Sequence, residues 1–291
     1  GFFMTYQFRH FLYLLPFVCA VSAYPLAAQA DSRSGQVIIR DTEIEKDMRQ
    51  WTDGIMGAAG LNSNQVNIVL IDSPEVNAFV AGGANIFIYS GLIGLTDNVG
   101  EVIGVVAHET GHIAGGHLSR AAEVGKNASF EAMLGAIVGI GAAIATGDGS
   151  AAAAGISIGQ GQAMNNYLAF SRVQESAADQ AGLRFLTTAD LIPEGLPGFL
   201  DKLSSQELLP TSQQSQFVRT HPLSRDRVDV LQHKVDESPL KTKPFPPAWN
   251  DQYARVKAKL FAYTSPQQVA YKYPSSDQSI PALYARAISS Y

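Results

Sequence analysis

Residues His108-Glu109-Thr110-Gly111-His112 put two imidazoles four positions apart with a carboxylate beside the first. On a helix, positions four apart share a face, so both rings project to one side and can grip a single cation. Glu109 falls about 100° further round, close enough to take a proton from a water at the ion without ligating it. The chemistry this spacing points to is metal-assisted hydrolysis. A zinc ion lowers the pKa of water and polarises a peptide carbonyl, and Glu109 acts as the catalytic base. The surrounding residues Val102, Ile103, Val105, Val106 and Ile113 are apolar. Two histidines and a glutamate buried there without partners would cost several kcal/mol each, on the order of magnitude known for unpaired polar groups. A metal removes that cost.

A catalytic zinc needs a third protein ligand and an open fourth position. In one arrangement a glycine turns the chain and a histidine six residues after the second ligand completes the set. Gly115 is present, but that position is Leu118 and His117 comes one residue early. His117 is therefore expected on the helix surface or behind the ligands. In the other arrangement a glutamate comes from a separate helix. Glu123 lies too far along the same helix, and Glu131 has Gly135 four residues on, which supports nothing. Glu175 has Asp179 one turn later, placed to accept the outer N–H of a ligand histidine. The expected metal ligands are thus His108, His112 and Glu175, with Asp179 behind them and one Zn2+ per chain.

These residues need a scaffold. Asn98 offers an N-cap with Glu101 three residues on, and an apolar helix is expected from there through Ala122. Helical spacing also runs from Asp41 to Ala59, from Ser171 to Leu186, from Pro193 to Pro210 and from Ser224 to Lys234. Gln65–Ile71, Val76–Val80 and Ala84–Tyr89 read as strands, the last two separated by Gly82-Gly83. Lys241–Trp249 is proline-rich and reads as a linker to amphipathic helices at Tyr253–Tyr263 and Ile280–Tyr291. The class is α+β, mostly α. Phe130–Ile158 is rich in Ala, Gly and Ile. It reads as a buried helical hairpin, with contact to a membrane surface as the alternative.

Arg9 and His10 precede an apolar run, Phe11–Ala23, and Ala28-Gln29-Ala30 offers the small residues of a cleavage site. This layout predicts a signal peptide over residues 1–30, cleaved after Ala30, and export to the periplasm. Cys19, the one cysteine, lies inside it, so a mature chain has no thiol for a disulfide, a metal or a nucleophile. A formal net charge of −5 over 291 residues gives no basic field for nucleic acid. Met4 reads as the natural start. Ile280–Tyr291 stops inside a helical pattern, so residues 236–291 are expected to be a linker and the start of a truncated helical region, following a peptidase domain over 31–235.

The His-Glu-x-x-His run followed by Ser171-Arg172-Val173-Gln174-Glu175-Ser176-Ala177-Ala178-Asp179 resembles the HtpX and CAAX-prenyl-protease family of gluzincin metallopeptidases, most closely its soluble periplasmic branch typified by BepA. Asn77-Ala78-Phe79, Gly82-Gly83, Ile86–Leu92 and Thr220-His221-Pro222-Leu223 with Arg227 carry the same resemblance. It implies a small sheet whose edge strand, Ala84–Tyr89, pairs with an extended substrate. Asn77, Gly83, Ala84, Asn85, Ile86 and Phe87 would then be substrate-binding. It places His221 at the metal, either on the transition-state oxyanion or as a removable fourth ligand, with Arg227 in support. It also implies a TPR-like array after the peptidase domain. The implied partners are unfolded or misassembled proteins and the outer-membrane protein assembly machinery. A chaperone or scaffold with a latent zinc site is the rival reading.

Overall fold

The histidine-bearing helix is apolar on every side, and a helix of that kind must be covered on every side. The structure, a computed structural model, describes residues 37–81, 83–117 and 158–290. The expected signal peptide, the segment 130–157, Glu123, Glu131 and everything from Leu118 to the end of the expected metal helix lie outside those residues.

Among the described residues four strands and ten α-helices follow in order: β1 (Val37–Ile39), α1 (Thr42–Ala58), β2 (Asn67–Asp72), β3 (Ala78–Ala81), β4 (Asn85–Tyr89), α2 (Ser90–Leu95), α3 (Val99–Ala114), α4 (Ile158–Thr188), α5 (Gly195–Ser204), α6 (Gln216–Thr220), α7 (Arg225–Asp236), α8 (Pro247–Thr264), α9 (Val269–Lys272) and α10 (Ile280–Ser289). The metal-motif helix α3 is buried continuously from Val99 to Gly111. Asn98 caps it, its side chain accepting from Glu101 N–H at 3.1 Å, while Glu101 Oε2 accepts from Asp97 N–H at 3.0 Å. The helix stops at Ala114, short of the expected Ala122, because Gly115 and Gly116 break it.

The sheet has the order β1-β2-β4-β3, with β2 and β4 parallel and the other pairs antiparallel. Its inner face, including Ala78, Val80, Ile86 and Ile88, belongs to the same core as α3. On the opposite face Phe79 stacks on Phe87 with ring centroids 5.1 Å apart. The expected edge strand is corrected here. β4 hydrogen-bonds on both sides, to β2 and to β3, so the edge next to it is β3, Ala78–Ala81. The longer, β-branched and aromatic run Asn85-Ile86-Phe87-Ile88-Tyr89 takes the central place, and the four-residue strand takes the edge, as short strands do.

Helices α1, α4 and α5 close over α3 from other directions. The decisive approach is between α3 and α4. A Cβ on Gly111 would come within 2.6 Å of the Ala178 carbonyl oxygen, so only glycine allows the two backbones this close. That contact sets Glu175 and Asp179 beside the two histidines.

Lys241–Trp249 does not act as a free spacer. Phe245 stacks on Trp249 at 5.8 Å, and α8 sends Trp249, Tyr253, Val256 and Leu260 into the core that holds α3. Gln252 accepts from Trp51 Nε1–H at 2.8 Å, and Lys259 reaches Asp41 and Glu43 at the start of α1. Residues beyond 235 therefore help hold the fold.

Gly111→Ala should lower stability by about 1–3 kcal/mol through overpacking, although alanine is favoured in a helix by up to about 1 kcal/mol. Thermal unfolding of the two proteins checks this. An unchanged or raised Tm would show that the helices have room to spare.

Candidate metal centre

The two imidazoles of α3 meet the carboxylate of Glu175 from α4 and the ring of His221, which follows α6. These four residues each offer a ligand atom, and all four atoms lie within 4.8 Å of one another. His108 Nε2 is 3.0 Å from His112 Nε2, 3.3 Å from His221 Nδ1 and 3.4 Å from Glu175 Oε2. His112 Nε2 is 3.4 Å from Glu175 Oε1, and His221 Nδ1 is 3.2 Å from Glu175 Oε2. Ligands about 2.0–2.1 Å from a tetrahedral zinc would stand about 3.3 Å apart. The spacing fits.

Outer hydrogen bonds decide which ring nitrogens face inward. A carboxylate only accepts, so His108 Nδ1–H donates to Asp179 Oδ1 at 2.9 Å and Nε2 is left for the centre. A carbonyl also only accepts, so His221 Nε2–H donates to the Ala78 carbonyl at 3.1 Å and Nδ1 faces in. Asp179 is itself held by Arg227, Nε to Oδ2 at 2.7 Å and Nη2 to Oδ1 at 2.9 Å. Arg227 Nη1 also donates to the Pro222 carbonyl at 2.7 Å, which ties down the residue next to His221. Phe217 stacks against the His221 ring with centroids 4.6 Å apart.

The metal-free cluster is electrically awkward. Burial opposes charge on His108, but Asp179 and Glu175 outweigh it and push that imidazole up to about 10. Burial, then the positive His108, drives His112 down to about 2. Burial works against ionised Glu175, yet the His221 and His108 charges hold it well below the usual carboxylate range. On His221, too, burial is outweighed, by the charges of Glu175 and Glu109, and the ring is pushed up. Burial raises Glu109, and neither of its buried carboxylate oxygens has a hydrogen-bond partner among the described residues. Inward-facing imidazole nitrogens and a carboxylate thus share one small volume beside a second buried carboxyl, that of Glu109, whose Oε1 is 3.4 Å from His221 Nε2. A cation belongs there, and in its absence a proton on His108 takes the part.

Not all sequence-predicted residues join this site. His108, Glu109, His112, Glu175, Asp179, His221 and Arg227 come together. Of the residues expected to bind substrate, Ile86 is fully buried. The Asn85 side chain bonds Asn67 and Ala81, and Phe87 belongs to the aromatic stack. Asn77 is buried and bonds Gln216 and Thr220. Gly83 and Ala84 lie in the β3–β4 turn, Gly83 with φ +94°. Sequence reasoning missed the Ala78 carbonyl and the Phe217 ring, and neither leaves a signal in residue type or spacing.

Residues 42–235 match Peptidase family M48. The chain belongs to peptidase family M48. Among its M48 relatives, the beta-barrel assembly-enhancing protease of Yersinia pestis is 29% identical over 206 residues, 68% of this chain and 40% of the relative. The protein of the same name in Escherichia coli K12 is 31% identical over 169 residues, 58% of this chain and 34% of the relative. Metalloprotease LoiP of Escherichia coli K12 is 31% identical over 186 residues, 62% of this chain and 67% of the relative. The chain thus spans two fifths or less of the length of the first two. The family resemblance carried by the motifs holds. No helix among the described residues is long and apolar enough to cross a membrane.

The raised His108 sets a pH dependence. Because its imidazole is protonated up to about 10 in the metal-free fold, against 6.5 ordinarily, it stabilises that fold below pH 6.5. The contribution fades as pH rises towards 10. A metal must displace the same proton, so metal affinity should climb through neutral pH by about tenfold per unit for one proton released. Calorimetric titration in buffers of different ionisation enthalpy measures that proton. Uptake without proton release would contradict the assignment.

Proposed function

We propose that this chain is a zinc metalloendopeptidase of the bacterial envelope that cleaves misfolded or misassembled proteins. The observation that carries the reading is the convergence of His108, His112 and Glu175 beside the buried carboxyl of Glu109, which accepts no hydrogen bond among the described residues and whose Oε1 lies 3.4 Å from His221 Nε2. In this reading the two histidines and Glu175 hold the zinc, and Asp179 with Arg227 keeps His108 in its ligating tautomer. When bound, zinc supplies Lewis-acid chemistry, making water a stronger acid and a peptide carbonyl a better electrophile. Glu109 takes the proton from the attacking water and passes it to the leaving amine, and its raised pKa suits both tasks.

Recognition in this account uses the edge strand β3. Tyr89 N–H donates to the Asn77 carbonyl, so Asn77 pairs with Tyr89 through hydrogen bonds, and the alternation of an antiparallel ladder turns the Ala78 and Val80 groups outward. An extended peptide adding to that edge gains main-chain hydrogen bonds without a sequence requirement, which suits unfolded substrates.

The His221 ring bears on both steps. Its Nδ1 belongs to the donor set and its Nε2–H occupies the outward Ala78 carbonyl. That favours the removable fourth ligand over the oxyanion donor. It also supports a resting state that is closed until substrate arrives, in which the chain could serve first as a scaffold. The names of the relatives and the predicted signal peptide support a periplasmic setting and an association with outer-membrane protein assembly, with a TPR-like region beyond the peptidase domain.

One panel tests the scheme: zinc content by elemental analysis and cleavage of an unfolded casein-type substrate. His112→Ala should lose zinc. Glu109→Gln should keep zinc and lose about 10²–10⁴-fold in turnover, the usual loss with a general base. His221→Ala should keep zinc and cleave faster. A loss of about 10²–10³ in that last variant would make His221 an oxyanion donor instead. A Glu109→Gln protein that cleaves normally would overturn the mechanism.

A further inference from the structure

We infer that His117 is a positioning residue, a buried imidazole whose Nδ1 accepts the Nδ1 proton of His112 and so presents His112 Nε2 to the metal. The two Nδ1 atoms are 2.9 Å apart, and the rings meet edge to face with centroids 4.9 Å apart. His117 is 5% exposed. A contact between two Nδ1 atoms needs one proton and one lone pair, and the far side of His112 decides which ring has which. His112 Nε2 faces His108 Nε2 at 3.0 Å and Glu175 Oε1 at 3.4 Å, so the ligating lone pair is there and the ring proton is on Nδ1. His117 must then accept through Nδ1 and carry its own proton on Nε2.

The chain is built to make this contact. In an unbroken helix a residue five positions on lies about 140° away around the axis and cannot touch the first ring. Here α3 ends at Ala114, and Gly116, with φ +62°, reverses the backbone. A Cβ on Gly115 would collide with His117 Nε2. Gly115-Gly116 therefore breaks the helix and leaves the space into which His117 folds back over His112. The two ligand imidazoles then differ in support: His108 leans on the ionised Asp179–Arg227 pair, and His112 on another imidazole.

The inference rests on the reading of His112 as a metal ligand. Zinc affinity, measured by competition with a chromophoric chelator, is compared in the wild-type chain, His117→Leu and His117→Asn. Leucine keeps bulk without an acceptor, and asparagine restores an oxygen where Nδ1 stood. His117→Leu should bind zinc about 10–100-fold more weakly, as outer-partner losses do, and His117→Asn should recover most of that. In the zinc-loaded wild-type chain, ¹⁵N NMR of the histidines should find the His112 proton on Nδ1 and the His117 proton on Nε2, which decides the matter even if a variant fails to fold. Equal affinity in all three proteins, no recovery with asparagine, or a His112 proton on Nε2 overturns the inference while leaving zinc binding intact. A wild-type chain that takes up no zinc overturns the metal reading and this inference with it.

Discussion

Everything in this structure turns on the crowding of electron pairs at one buried point between α3, α4 and the loop carrying His221. Imidazole nitrogens and carboxylate oxygens 3.0–3.4 Å apart repel each other unless something positive sits among them. Buried and shielded from water, that repulsion is far stronger than it would be at a surface. A proton on His108 relieves it in part. A divalent ion would relieve it further, and water at that ion would give the buried Glu109 carboxyl a hydrogen-bond partner that the described residues do not supply.

The fold works to keep the point crowded. The close backbone approach at Gly111 and Ala178 brings α4 near enough for Glu175 and Asp179 to reach the histidines of α3. The inner sheet face and helices α1, α5 and α8 bury α3 so that its polar residues have few other partners. Arg227 then ties its own segment to α4, fixing Asp179 behind His108 and, five residues back in the chain, the Pro222 carbonyl beside His221. Edge strand β3 meets the centre through the Ala78 carbonyl, so in the proposed function recognition and chemistry would share one contact.

Much of the centre could be read from residue types and spacing. His108 and His112 lie about one turn apart on one helix with Glu109 next to the first, and Glu175 stands out because Asp179 supports it four residues on. The N-cap at Asn98 and the capping role of Glu101 were equally legible, since they depend on local sequence alone. The order of the strands was not. β3 and β4 are both short apolar runs, and which one pairs with β2 is settled by how the hairpin packs on α3, a choice no local pattern records. For His117 the sequence left two places open, the helix surface or behind the ligands, and the structure puts it behind His112. A continuous helix would carry it away from His112, and only the backbone reversal at Gly116 brings it back. The Ala78 carbonyl and the packing of α8 into the core are tertiary facts of the same kind.

The most direct measurement is anomalous diffraction at the zinc absorption edge from crystals of the zinc-loaded protein. The account predicts a single peak within bonding distance of His108 Nε2, His112 Nε2 and the Glu175 carboxylate, with Glu109 close by but not ligating. A peak elsewhere, or zinc-loaded crystals with no peak among these residues, would contradict it.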